Sequence, residues 1–136
     1  KIPVLGICLG MQLMAIEYAR NELHMHTAAS EEFATTLEPE QLYVIKKLPE
    51  LRVGIRPVEW KGKRTMESHW HNYGFNNEYL GEFQKAWALS NTDGIVEIMN
   101  LRSAKFHVGV QFHPEYQSSK GKPHPLLANF IDVCRS

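Results

Sequence analysis

Residues 3–12, Pro-Val-Leu-Gly-Ile-Cys-Leu-Gly-Met-Gln, impose the tightest constraint on how this chain can fold. A short apolar run is broken by Gly6, carries one cysteine at position 8, is broken again by Gly10, and then turns helical. Gly-x-Cys-x-Gly between a strand and a helix has the layout of a nucleophile elbow, with cysteine in the place of serine. A nucleophile on so sharp a turn needs strained backbone and neighbours without Cβ atoms, which the two glycines supply. The helix that follows aims its free N–H groups and positive dipole end at the sulfur, an arrangement expected to favour thiolate over thiol. Such chemistry requires a base elsewhere in the chain.

The pattern around the elbow is that of one α/β domain over residues 1–136. Residues 1–7 read as a strand that is apolar on both faces, as in a parallel sheet, and residues 11–23 read as a helix. Residues 24–41 are polar and interrupted, a loop ending near Pro39. A short strand is expected at 42–45, after which Pro49, Gly54, Pro57 and Gly62 are expected to keep the chain irregular. Residues 64–73 alternate like a strand, and Asn76 is placed to cap a short helix over 77–85. Strands at 87–89 and 95–99 flank Ser90-Asn-Thr-Asp-Gly94, a strong hairpin signal. A strand at 106–112 runs into His113, and residues 125–133 form an amphipathic helix with Leu126, Leu127, Phe130 and Ile131 inward.

Fifteen basic and fifteen acidic residues balance, so no broad electrostatic footprint argues for nucleic acid or an anionic membrane. No apolar run approaches the roughly 20 residues needed to span a bilayer, and no secretory n-region, h-region and cleavage site can be read in these residues. The two cysteines, Cys8 and Cys134, make no disulfide framework, which suits a reducing, cytoplasmic setting. Lys1 followed at once by a core-like strand points to a chain that begins inside a larger protein.

His113 and Glu115 follow an apolar strand, where a parallel sheet presents its ligand-binding edge. On extended chain, residues two apart share a face, so the carboxylate can accept the imidazole N–H, fix its tautomer and stabilise the imidazolium. Alone, His113 is equally a strand-end histidine satisfied by a backbone carbonyl. Paired with the Cys8 elbow, it reads as the base of a triad.

Gly6-Ile-Cys-Leu-Gly-Met-Gln12 with Val110-Gln-Phe-His-Pro-Glu115 resembles the class I, or triad, glutamine amidotransferases. Residues 1–5, 16–21, 29–33, 96–98 and 123–126, with Tyr73, Asn76 and Asn77, narrow the resemblance to the glutaminase domain of CTP synthase. The resemblance implies a three-layer, mostly parallel sheet flanked by helices, flavodoxin-like, with the first strands of the domain absent. It implies that Cys8 attacks the glutamine carboxamide, that His113 moves the proton and that Glu115 orients His113. A γ-glutamyl thioester would form and be hydrolysed to glutamate. The Leu9 N–H would be one oxyanion donor, and Gln12 and Glu32 would bind the substrate. A carboxylate such as Glu32 suits the substrate ammonium. The freed ammonia would pass to a synthase domain in the same polypeptide that makes CTP from UTP and ATP. ATP and Mg²⁺ would act only there, and the full protein would be a homo-oligomer, a tetramer.

The sequence departs from that pattern in two places. The family's other oxyanion donor lies upstream of the elbow, on strands this chain does not contain. The family also has an arginine for the substrate α-carboxylate where this chain has Asn72. Asn72 can still donate, and Arg56 or Arg64 could approach in space. Loss of the arginine leaves open another triad amidotransferase, a γ-glutamyl hydrolase, or a non-catalytic form of the fold. His69 and His71 share a strand face and invite a zinc reading, but the spacing offers no third ligand, so no metal is assigned. Trp70 and Tyr73 are expected to be packing residues, as is a half-buried Cys134.

Overall fold

The computed structural model of the chain describes residues 2–34 and 40–136. Lys1 and the predicted loop end at Pro39 lie outside these residues. The elements run β1 (Val4–Ile7), α1 (Leu9–Asn21), β2 (Ala28–Ser30), β3 (Leu42–Trp60), β4 (Lys63–Phe75), α2 (Leu80–Gln84), β5 (Trp87–Thr92), β6 (Ile95–Leu101), β7 (His107–Val110) and α3 (Pro125–Arg135). Among the described residues they form a four-stranded sheet in the order β1-β7-β6-β5 and a three-stranded sheet in the order β2-β3-β4.

The expected α/β layering is present. Helix α1 covers one face of the larger sheet, where Met11, Ala15, Ile16 and Ala19 pack with Val96, Met99, Phe83 and Trp87. On the other face, Leu126, Phe130 and Val133 of α3 meet Phe106, Val108, Val110 and, from β3, Val58. The inward stripe of α3 is therefore 126/130/133, not the predicted set, and Ile131 is exposed. Parallel pairing occurs at β1–β7 and β2–β3. The other described pairings are antiparallel: two tight turns reverse the chain at β3–β4 and β5–β6, and the 102–106 connection reverses it at β6–β7. Lys61-Gly62 and Asp93-Gly94 each have both residues at positive φ, the backbone that two-residue hairpin turns require.

The largest departure from expectation is β3. Where Gly54 and Pro57 pointed to irregular chain, one strand extends to Trp60 and pairs with β4. Among the described residues β2 pairs only with 42–45, and the outer edge of the later part of β3 meets side chains of β5, with the Glu59 N–H donating to Thr92 Oγ1 at 3.1 Å and the Glu59 carbonyl accepting from Ser90. Pro57, two residues before Glu59, faces that side, so its missing N–H breaks no ladder bond. The irregularity is confined to the register shift between Lys47 and Arg52. The polar segment after α1 likewise contains a short strand, β2, docked parallel to β3. Asn76 does cap the next turn, its side chain accepting from the Glu78 N–H.

A buried ionic cluster joins the two sheets. Arg52 of β3 donates to Glu97 of β6 at 2.9 Å, and its other terminal nitrogen lies 3.2 Å from His71 Nε2 of β4. His69 Nε2 reaches the same carboxylate at 3.1 Å. Glu97 faces these partners because it sits at a bulge, where the β5–β6 register slips between Ser90 and Asn91. Burial pushes the Glu97 carboxyl up, but hydrogen bonds from His69 and Arg52 outweigh it and leave the group below its ordinary range. His71 is lowered to about 4, chiefly by burial and further by the Arg52 charge.

Two predictions follow from this packing. A Cβ at Gly109 of β7 would stand 2.6 Å from Met11 Cγ and 3.2 Å from the Met11 Cα. Gly109→Ala should therefore lift α1 from the sheet and destabilise the protein by about 1–3 kcal/mol, read from the urea midpoint. An unchanged midpoint would refute this close seating of the helix. For His71, the unfolded chain binds a proton below pH ~6.5 that the native state refuses until about 4. Stability should be full above that window and fall by on the order of 3 kcal/mol as pH drops through it. His71→Gln should flatten that slope in urea titrations; an equal slope in both proteins would rule His71 out as its source.

Candidate active site

Cys8 stands between β1 and α1 with φ 54° and ψ −105°, a strained conformation outside the helical, strand and left-handed regions. The surroundings enforce it. The Cys8 N–H donates to Val110 O at 2.7 Å, extending the β1–β7 pairing one residue past the strand. Gly6 allows the close approach, since a Cβ there would lie 2.9 Å from the Gly10 carbonyl. Cys8 thus caps the strand end and begins the helix, with Sγ half-buried above the sheet edge.

His113 lies at the end of the adjacent parallel strand, three residues beyond Val110, which pairs with Ile7. Its Nδ1 is 2.8 Å from Glu115 Oε2. A carboxylate only accepts, so Nδ1 carries the proton and Nε2 keeps its lone pair as a base. The pairing arises differently from expectation. Pro114–Gln117 form a 3₁₀ turn, not extended chain, and the turn folds Glu115 back onto the ring. The ring also stacks on Tyr116, with centroids 4.4 Å apart and planes within 6°. The His113 N–H donates to Ser68 O at 2.8 Å, which ties the base to β4. Tyr116 went unnoticed in the sequence, where only its place beside Glu115 in the turn marks it.

The sulfur has two hydrogen bonds among the described residues. It donates to Trp70 O at 3.6 Å and accepts from Gln111 Nε2 at 3.6 Å. Its link to His113 rests on the adjacency of their strand ends. Burial pushes the Cys8 thiol up, the charges of Glu115 and Glu32 push the same way, and the Leu9 N–H and Gln111 pull against them. The net shift is upward, so the helix end does not make a resting thiolate, contrary to the expectation from the dipole. A thiol held in this way needs a base to remove its proton.

Gln12 is buried on α1 and donates from Nε2 to Tyr73 O at 2.9 Å and to Gln111 Oε1 at 3.2 Å. Glu32 is exposed in the turn after β2 and close enough for its charge to act on Cys8. Asn72 is half-buried on β4, on the opposite face from His69 and His71. Arg64 is engaged by Glu59 at 3.1 Å near the Lys61-Gly62 turn, and Arg56 sits across the ladder from Glu67. Trp70 is 63% exposed, so it is not the packing residue expected, and Cys134 is exposed as well. Tyr73 does pack against the core under α1.

The third neighbour that His69 and His71 lacked in sequence is Glu97; the three bring ligand-type atoms within 4.8 Å of one another. The Arg52 guanidinium lies among these atoms, bonded to Glu97 and beside His71. The cluster's cation is thus a side chain, and its chemistry is that of a buried ion network.

A family model, Glutamine amidotransferase class-I, matches residues 1–133. CTP synthase of Ruminiclostridium cellulolyticum is 38% identical over 151 aligned residues, covering 96% of this chain and 28% of the relative. CTP synthase of Aquifex aeolicus is 40% identical, covering 98% of this chain and 29% of the relative. The chain therefore spans less than a third of the length of these curated relatives. Among solved structures, a Trypanosoma brucei CTPS glutaminase domain with bound acivicin superposes with a TM-score of 0.86 at 26% identity, over 98% of this chain and 60% of that one. No helix among the described residues is long and apolar enough to cross a membrane. The match along nearly the whole length, on a fold whose adjacent parallel strand ends carry Cys8 and the His113–Glu115 pair, places this chain in the class-I glutamine amidotransferase family.

Proposed function

We propose that this chain hydrolyses glutamine to glutamate and ammonia with Cys8 as nucleophile, as the glutaminase part of a longer CTP synthase. The observation that carries the reading is the hydrogen-bonded His113–Glu115 pair at the strand end next to the Cys8 elbow. His113 Nε2 takes the thiol proton as sulfur attacks the carboxamide carbon. The carbonyl electron pair moves onto oxygen, where the Leu9 N–H at the start of α1 supplies one donor. Imidazolium then protonates the amine, ammonia leaves, and a γ-glutamyl thioester remains. Water, deprotonated by the same imidazole, attacks the thioester, releasing glutamate and restoring the Cys8 thiol. Glu115 keeps the ring oriented and offsets its charge in both halves.

Glu32 receives the substrate ammonium and Asn72 donates to its α-carboxylate, while Gln12 fixes the site floor. Ammonia passes to a synthase domain that uses ATP and Mg²⁺ to convert UTP to CTP, within a cytoplasmic homo-oligomer. Asn72 favours a second reading, a triad amidotransferase with a different acceptor. An amide offers a neutral hydrogen bond where an arginine would offer a charged one worth roughly 1.5–3 kcal/mol. Assays of the intact protein for CTP formation separate the two readings.

Acivicin, the ligand of the trypanosomal domain, should add once, at Cys8, by intact mass and peptide mapping. Cys8→Ala should take up none and lose glutaminase activity by roughly 10⁴-fold or more. Adduct formation on Cys134 alone, or ammonia release that survives Cys8→Ala, would sink the assignment.

A further inference from the structure

Gln111 follows β7 directly, two residues before His113, and its side chain is fully buried. Its N–H donates to Glu97 O at 2.8 Å, which fixes its backbone to β6. Its amide forms the last link of a chain of hydrogen bonds. The Tyr73 carbonyl accepts from Gln12 Nε2, the same Nε2 donates to Gln111 Oε1, and Gln111 Nε2 donates to Cys8 Sγ. The two ends of an amide have nearly the same shape, so the direction of such a chain must be set by a group that cannot exchange roles. A backbone carbonyl is such a group, because it only accepts. Tyr73 O also accepts from His71 Nδ1, which sits in the Arg52–Glu97 cluster, so its place is held from two sides. Gln12 must then present its nitrogen, Gln111 must answer with its oxygen, and the Gln111 N–H is left facing sulfur.

We propose that Gln111 is a positioning residue for the Cys8 nucleophile, holding Sγ with an N–H whose direction the Tyr73 carbonyl imposes through Gln12. The proposal rests on the reading of Cys8 as the nucleophile. A donor at this point favours sulfur with negative charge over sulfur carrying a proton, so it assists at the moment His113 removes that proton. The charged groups acting on the sulfur are Glu115, from the turn after β7, and Glu32, from the turn after β2, and both oppose that ionisation. His113 stands at the neighbouring strand end. Gln111 and the Leu9 N–H are what this site sets against burial and the two carboxylates.

Gln111→Met keeps the length of the side chain and removes the N–H. The test uses the full-length protein carrying Cys134→Ser, so that Cys8 is the only thiol of these 136 residues, with peptide mass analysis of iodoacetamide labelling at Cys8 as a function of pH. Gln111→Met should raise the pH at which Cys8 labelling inflects by about one unit and slow labelling at pH 8 roughly tenfold. Its kcat for glutamine should fall roughly ten- to a hundredfold, with KM within about threefold. Gln12→Met, which keeps Gln111 but frees its amide, should move the inflection the same way. A lower melting temperature with an unmoved inflection would make Gln111 a packing residue and overturn the proposal. If Gln111→Met does not fold, an unmoved inflection in Gln12→Met overturns it equally. Labelling needs no turnover, so a protein that hydrolyses no glutamine still answers the question about Gln111.

Discussion

Helix α1 rests directly on bare backbone. Gly6 of β1 and Gly109 of β7 present no Cβ to it, and Met11 fills the space above Gly109. Only a helix seated this low can start one residue after a strand that is still hydrogen-bonded to its neighbour, through Cys8 N–H and Val110 O. The strained, positive-φ Cys8 backbone is the result, and it is over-determined by the sheet below and the helix behind. Everything the site does with sulfur depends on that seating. A side chain at either glycine would move the helix and the nucleophile together.

A second constraint reaches the same atom from the far side of the molecule. Glu97, bulged from β6, gathers Arg52 and His69, and Arg52 in turn lies against His71. His71 bonds Tyr73 O, which accepts from Gln12, which orders Gln111, which faces Cys8. The cluster that binds the smaller sheet to the larger one is thus continuous with the groups around the thiol. Burying an ion network is expensive unless every member is satisfied, and here its partners come from three strands. Burial also outweighs the helix end at Cys8 and leaves the thiol shifted upward.

The parts of this arrangement that were legible in sequence are those written in short-range chemistry. Gly6, Cys8 and Gly10 specify the elbow within five residues; Asp93-Gly94 specifies its hairpin; Asn76 specifies its cap. The His113–Glu115 pair was also legible, although a 3₁₀ turn, and not strand alternation, brings the two together. What stayed hidden depends on partners distant in sequence. Strand β3 survives Gly54 and Pro57 because, among the described residues, no strand pairs along its outer edge there and side chains of β5 satisfy Glu59 instead, which no local pattern reveals. The union of Arg52, His71 and Glu97 depends on a bulge in β6, and the role of Gln111 depends on an acceptor 38 residues away, at Tyr73. The thiol's upward shift comes from burial and from two carboxylates on separate turns, where the elbow alone suggested the opposite.

In the proposed mechanism the Cys8 sulfur becomes joined, as a thioester, to the side-chain carboxamide carbon of glutamine during turnover. Acid quenching of the full-length protein during steady-state glutamine hydrolysis, followed by peptide mass analysis, tests it most directly. A γ-glutamyl adduct should appear on the peptide carrying Cys8 and disappear once glutamine is exhausted. Steady ammonia release with the adduct on another residue, or with the Cys8 peptide never modified while glutamine turns over, would contradict it.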